Sequence, residues 1–356
     1  MTINFYHKKI GILFAISLMF VAVFAIMFLN GKLVTVASAA TDGWHIKDDA
    51  KGGDCSSIGN WDKKSKTCTL TKDLDQPIKI DSDNINLDGN NHKIIGTDAD
   101  YNAISGVYLN QRTGVVVKNI NVRHFANGIG LTSSYGNVIK NNIFPGPGGG
   151  IYMGNSTNNT ISRNTFSAVW GFGVLLESSS NNLLEGNSFY GTGPSGGANG
   201  FLLSLSNDNT IKGNNISNYA YGISSWQSGG NTILENTILN CLYGLFFGRY
   251  SPPPESSNEV YHNNFVNSTG AQAYLYGNGI DLFNLPGPMG GNYWSDYSTP
   301  DQGCVDANSD NFCDAPYIIK PLPISTPTTG YDNLPWTKKD GWKRISTVAR
   351  DLFSLT

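Results

Sequence analysis

The sequence has 356 residues, with 24 Lys and Arg against 27 Asp and Glu and a formal net charge of −3. Charged residues make up only 14% and glycine occupies 41 positions, above the about 7% usual for glycine, which speaks against long surface helices built from Glu, Lys, Ala and Leu. A hydrophobic content of 40% and aromatics at 12% exclude a disordered chain, and the slight acidity speaks against a nucleic-acid binder, which would carry a basic patch.

At the N-terminus, Lys8 and Lys9 precede an uncharged stretch from Ile10 to Leu29. Ala37-Ser38-Ala39 then offers the small-x-small pattern of a signal-peptidase site. Residues 1–39 read as a signal peptide or as an uncleaved membrane anchor, since about 20 apolar residues suffice to span a bilayer. Either way the positive-inside rule sends the rest of the chain out of the cytoplasm, to be secreted, periplasmic or held at the cell surface. Contact with a membrane is expected only through this segment, if it stays uncleaved.

The cysteines fit that destination. Cys55 and Cys68 lie in a polar segment, residues 40–80, that reads as an N-terminal cap; Cys304 and Cys313 lie in a polar C-terminal one. Two local disulfides are the simplest pairing in an oxidising compartment, although four cysteines allow three connectivities. Cys241 stands alone in an apolar run.

The body, residues 81–285, is a repeat. The pattern Asn-x-(Ile/Leu/Val)-x-x-Asn begins at Asn137, Asn159, Asn182, Asn209, Asn231 and Asn258, spaced 22, 23, 27, 22 and 27 residues. Gly128, Gly150, Gly173, Gly200 and Gly222 each fall nine residues ahead of the repeat's first Asn. After each Gly, apolar residues alternate with period two, the signature of a strand facing a core. Two further apolar columns follow: Ile139, Ile161, Leu184, Ile211, Ile233, Val260 and Phe144, Phe166, Phe189, Ile216, Ile238, Phe265. Asn tolerates left-handed backbone angles and suits tight corners. A unit of about 22 residues with short strands cannot bury its own apolar face, so copies must stack.

Coiling the chain sets each strand about 4.8 Å from its equivalent in the next turn, with Asn side chains able to bond from turn to turn. The expected fold is all-β, a single-stranded right-handed parallel β-helix, the hand following the general crossover preference. Residues 83–96 and 114–122 read as its first turns. A leucine-rich repeat would need a Leu-x-x-Leu-x-Leu pattern and a β-propeller a longer period; neither is present. Extra residues at 190–197 and 248–257 mark longer bends, which on a solenoid usually flank a binding face or cover an edge.

The stacked Asn-x-Ile-x-x-Asn-x-Phe turns resemble the pectin-lyase-like β-helices and, within them, the NosD group, the periplasmic accessory of nitrous oxide reductase and its surface-protein relatives. The closing motifs strengthen the resemblance: Asn263-Asn-Phe-Val-Asn-Ser, Ala271-Gln-Ala-Tyr274, Gly290-Gly-Asn-Tyr-Trp-Ser-Asp-Tyr297, Asp306 to Tyr317 and Tyr331-Asp-Asn-Leu-Pro335. It covers roughly residues 80–336, makes residues 286–336 a NosD-like C-terminal segment, and implies fold more than role. In the tail, residues 337–356, Trp342, Ile345, Ala349 and Phe353 could line a short amphipathic helix; a frayed end is the alternative.

Several residues could carry chemistry. Asp306, Asn308, Asp310 and Asp314 alternate as the oxygen ligands of a structural Ca²⁺ do, but Asn311 replaces the loop Gly of an EF-hand and no Glu closes the ring; a solvated polar turn is the alternative. His7, His45, His92, His124 and His262 are dispersed, unlike a copper site. Glycoside hydrolysis needs two carboxyl groups roughly 5–10 Å apart. The outward slot four residues after each Gly reads Thr132, Gly154, Glu177, Ser204, Trp226, Gly248, with one carboxylate. That face is instead aromatic: Tyr152, Trp226 and Phe246 beside Glu177, then Phe172, Tyr221 and Tyr243, with Arg249 and Tyr250 expected to overhang from the long bend. These nine residues are the candidate ligand face, for a polysaccharide or a cell-surface protein. The leading expectation is a non-catalytic binding protein; a carbohydrate-active enzyme and a NosD-type metal-centre maturation factor are the alternatives.

Overall fold

The computed structural model describes residues 43–96, 105–169, 171–249, 256–277, 281–319, 321 and 329–344. The signal or anchor segment, Tyr250 and the tail beyond Arg344 lie outside the described residues.

From about residue 43 the chain winds through about 8 turns of parallel β-helix. Three sheets form its walls. Among the described residues the first has ten strands, running from Trp44–Ile46 through Tyr221–Trp226 and Tyr243–Gly248 to Ala271–Tyr276. The second has ten, ending at Glu259–Tyr261, and the third nine, ending at Tyr293–Trp294. From the first full turn onward every pairing within these walls is parallel and joins equivalent residues of consecutive turns. Ile139 lies beside Ile161 and Phe144 beside Phe166. Like therefore stacks on like, and both apolar columns of the sequence are fully buried. Within the phenylalanine column, rings stack 4.8 Å apart between Phe144 and Phe166 and 4.5 Å apart between Phe166 and Phe189. Trp294 continues it, 4.5 Å from Phe265, and Tyr317 closes it 4.2 Å beyond.

The repeat asparagines do something different from what their left-handed tolerance suggests. They point inward, buried, and form two hydrogen-bonded ladders. In one, Asn137, Asn159, Asn182, Asn209 and Asn231 each donate Nδ2 to Oδ1 of the next turn's Asn at 2.9–3.2 Å, ending on Asn258. In the other, Asn142 to Asn263 do the same at 2.9–3.1 Å, ending on Asn292. The same oxygens also accept the main-chain N–H of the preceding ladder residue. A third ladder, of Ser134, Ser156, Ser179, Ser206 and Ser228, receives main-chain N–H groups on its hydroxyls. The left-handed conformation belongs to the residue just before: Asn141, Arg163, Gly186, Gly213, Glu235 and His262 all have positive φ and each precedes a ladder Asn. The corner thus needs two residues, one to reverse the chain and one to satisfy the amides that the bend leaves without strand partners.

Both Asn ladders end in an aspartate. Asn258 donates its N–H and its Nδ2 to Asp281, at 2.9 and 3.0 Å. Asn292 N–H reaches Asp332 at 2.7 Å, and the same carboxylate oxygen accepts Trp294 Nε1 at 2.9 Å.

The N-terminal edge is covered as capping requires. Trp44–Ile46 adds an outer strand beside Ile78–Ile80, and the antiparallel hairpin Gly59–Asp62/Thr67–Leu70 extends the second wall, its second strand pairing in parallel with Asn86–Asp88. Cys55–Cys68 and Cys304–Cys313 are disulfide-bonded, which places the folded chain in an oxidising, extracytoplasmic compartment. Cys241 is free and buried, and burial pushes its thiol up to about 11. Among the described residues no helix is long and apolar enough to cross a membrane.

Candidate functional site

The outer surface of the first wall carries a concentration of aromatic side chains. Its pleat and register fix which residues share it. Ser224, Phe246 and Tyr274 are neighbours in one row; Trp226, Gly248 and Tyr276 form a second; Tyr221, Tyr243 and Ala271 a third. These nine outward positions, three on each of three consecutive strands, hold six aromatic rings and three small residues. None is charged.

The rings touch. Tyr221 and Tyr243 stack at 5.2 Å, and Tyr243 meets Tyr274 at 5.2 Å. Phe246 lies 4.9 Å from Trp226 and 5.7 Å from Tyr221, and Trp226 lies 6.3 Å from Tyr276. Phe246, enclosed by its neighbours, is only 5% exposed, while Tyr221, Trp226, Tyr243, Tyr274 and Tyr276 are half-buried. The result is one continuous aromatic surface across three turns. Burial raises the phenols of Tyr221 and Tyr243 above their usual range, the neighbouring phenol adding to each, so these rings stay neutral at physiological pH.

Gly248 shapes this surface. Its outward position is taken by the Trp226 indole, whose Cε3, Cζ3 and Cδ2 occupy the space a β-carbon would need. The indole therefore lies across the next turn's backbone. Gly248→Ala should displace that ring at a cost of about 1–3 kcal/mol. The change should appear as a shift in tryptophan emission in the wild-type background and be absent in a Trp226→Phe background.

Upstream the face thins out. Tyr152 donates its hydroxyl to Glu177 Oε2 at 2.9 Å, while Phe172 borders Asn199. Glu177 is the one carboxylate among the strands of this wall from Ser105–Asn110 to Ala271–Tyr276. The structure thus gathers Tyr221, Trp226, Tyr243 and Phe246 into one site, leaves Tyr152, Phe172 and Glu177 at its margin, and adds Tyr274 and Tyr276.

Arg249 corrects the expectation of an overhanging cation. It is 4% exposed, turned inward, and its guanidinium pairs with Asp281, the aspartate at the end of the first Asn ladder. Burial raises the Asp281 carboxyl, and the guanidinium and Asn258 oppose that rise. Arg249 N–H also bonds the Tyr276 carbonyl at 2.8 Å. Its role is to fasten two aromatic strands together.

The Asp306–Asp314 loop uses its oxygens on its own amides. Asp306 accepts Asp310 N–H and Asn311 N–H, both at 3.1 Å, Asp310 accepts Phe312 N–H at 2.9 Å, and Asp314 accepts Ala307 N–H at 3.0 Å. Among the described residues no group of three or more His, Cys, Asp or Glu side chains is placed to hold a metal ion. Three of the described histidines bond other groups: His45 bonds Asp81 at 2.5 Å, His92 bonds Asp73 at 3.2 Å, and His262 bonds the Met289 carbonyl at 2.6 Å. A hollow of about 240 Å³ beside Leu275, Asp281, Phe283, Gly330 and Tyr331 lies at the last turn.

Comparison with known proteins follows the same lines. Residues 83–238 match the family described as "Right handed beta helix region", and residues 194–299 match the family described as "Periplasmic copper-binding protein (NosD)". No curated protein matches the sequence. Among solved structures, the catalytic domain of a GH87 α-1,3-glucanase bound to nigerose is similar at 16% identity and a TM-score of 0.36, over 64% of this chain and 52% of that one. This chain thus spans about half the length of the glucanase chain. The AlgE6 A-module of Azotobacter vinelandii mannuronan C-5 epimerase is similar at 13% identity and a TM-score of 0.33, over 62% of this chain and 78% of that one. These likenesses concern fold alone.

Proposed function

We propose that this chain, which matches right-handed β-helix and NosD family models over residues 83–238 and 194–299, is an extracytoplasmic, non-catalytic scaffold that binds carbohydrate on the outer aromatic rows of its first wall. The observation that carries this reading is the joining of Tyr221, Trp226, Tyr243, Phe246, Tyr274 and Tyr276 into one surface across three turns. Aromatic pairs across neighbouring strands also stabilise a sheet, but six rings joined on the outer side of the wall form a contiguous apolar patch of the kind that marks interaction sites.

The chemistry suits a sugar chain. The C–H faces of a pyranose pack on an aromatic surface, and phenol and indole groups at the rim bond its hydroxyls. The rows run along the helix axis from turn to turn, which suits a polymer lying across successive turns more than a small molecule enclosed on all sides. A second carboxylate within reach of Glu177 would favour glycoside hydrolysis, and Glu177 has none on this wall; its partner is the Tyr152 hydroxyl.

Affinity electrophoresis through gels containing individual polysaccharides tests the proposal. The wild-type chain should be retarded in at least one gel, and Trp226→Ala should migrate there as it does in the blank gel, while its circular dichroism stays that of the wild type. No reducing ends or unsaturated sugars should be released from the retained polymer. Equal retardation of wild type and variant would remove this face from the function.

A further inference from the structure

We infer that the aromatic face selects uncharged glycans and rejects polyuronates. This deepens the carbohydrate reading of the same face and rests on it.

The argument is one of charge. None of the nine outward positions described above carries an ionisable cation or anion. The nearest basic residue in sequence is Arg249, directly after Gly248, and it is withdrawn from the surface: 4% exposed and paired with Asp281. The one carboxylate of the wall, Glu177, sits two strands upstream of Tyr221–Trp226 in the sheet order and is bonded to Tyr152.

A uronate residue brings a carboxylate with every sugar ring. Recognition of such a group calls for Arg or Lys, and the strongest form is a bidentate guanidinium. Here each carboxylate would instead approach the negative face of an aromatic quadrupole. It would lose water there and gain at most a neutral phenol or indole donor in place of a cation, which is costly for a charge. The overall formal charge of −3 adds long-range repulsion of a polyanion. A neutral chain meets none of these penalties, because its C–H groups pack on the rings and its hydroxyls keep solvent or phenol partners.

The test is a titration of the purified full chain with neutral polymers (mixed-linkage glucan, xylan, glucomannan) and with alginate and polygalacturonate, at low and high salt. At least one neutral polymer should bind at least about tenfold more tightly than either polyuronate, a difference of about 1.4 kcal/mol, with little dependence on salt. A second variant places the missing cation: Ala271→Arg, beside Tyr243 in the sheet, should gain salt-sensitive binding of polygalacturonate while its circular dichroism stays that of the wild type. Binding of a polyuronate by the wild type as tightly as any neutral chain would overturn the inference and leave the carbohydrate reading standing. Failure of every glycan to bind would overturn the carbohydrate reading, and the inference with it.

Discussion

An Asn209→Ala protein should unfold at a markedly lower denaturant concentration than the wild type, with a loss of about 3–5 kcal/mol. Asn209 is 1% exposed and occupies the middle of a ladder. Its Oδ1 accepts the N–H of Asn182 at 2.9 Å and the Nδ2 of Asn182 at 3.0 Å; its own Nδ2 reaches the Ser179 carbonyl at 3.1 Å and Asn231 Oδ1 at 3.1 Å. Alanine leaves the Asn182 amide and the Ser179 carbonyl in a dry corner with no partner, and each orphaned group costs about 1–3 kcal/mol. Thr210→Ala, one residue on and facing outward, should change stability by no more than about 0.5 kcal/mol. Urea unfolding followed by circular dichroism separates the two. A loss at Asn209 below about 1 kcal/mol would mean that the ladders fix geometry without contributing to stability.

Asp332 should make the C-terminal end of the solenoid sensitive to pH. Its carboxyl is fully buried and pushed up to about 7 by that burial, against the N–H groups of Asn292, Trp294 and Leu334 that favour the ionised form. The phenol of Tyr317 faces it across the hairpin, with Asp296 bonded to that phenol. The folded-state value lies above that of an unfolded aspartate. The contribution of this group is therefore complete below about pH 4 and is lost as the pH rises toward 7, because the unfolded chain ionises first. The gap corresponds to about 4 kcal/mol at most. Asp332→Asn retains an oxygen for Asn292 and Trp294, continuing the ladder in the form used at every earlier turn. It should flatten this component of the stability profile, matching the wild type near pH 4 and exceeding it at pH 8. Thermal unfolding of both proteins across that range provides the comparison, and parallel profiles would show that Asp332 does not titrate between them.

The turns were legible in the sequence because stacking imposes one periodicity on every column. The two apolar columns and the alternation after each Gly lie where the register of the sheets places them. Other features left no such mark. The serine ladder escapes notice because a Ser at a bend reads as ordinary loop composition. Asp281 and Asp332 lie where the Asn template has ended, so nothing in the spacing connects them to Asn258 and Asn292. Tyr274 and Tyr276 belong to a turn that lacks the Gly column, so a slot counted from Gly does not reach them. Arg249 departs from its expected exposure for a related reason: a cation following a long bend reads as exposed until its partner, 32 residues on, is brought beside it by another turn.

The two aspartates also give the molecule a direction. Each carboxamide in the ladders hands an N–H forward to the following turn, so the series could in principle run on into another chain seated against its far end. An ionised carboxylate takes an N–H and has none to pass on. With both carboxyls ionised, which for Asp332 requires a pH above about 7, neither series can be prolonged past Asp281 or Asp332, and a copy approaching that end would find hydrogen-bond acceptors where propagation requires donors. Solenoids of this kind risk growing into fibres, and here the halt is written into the last rung.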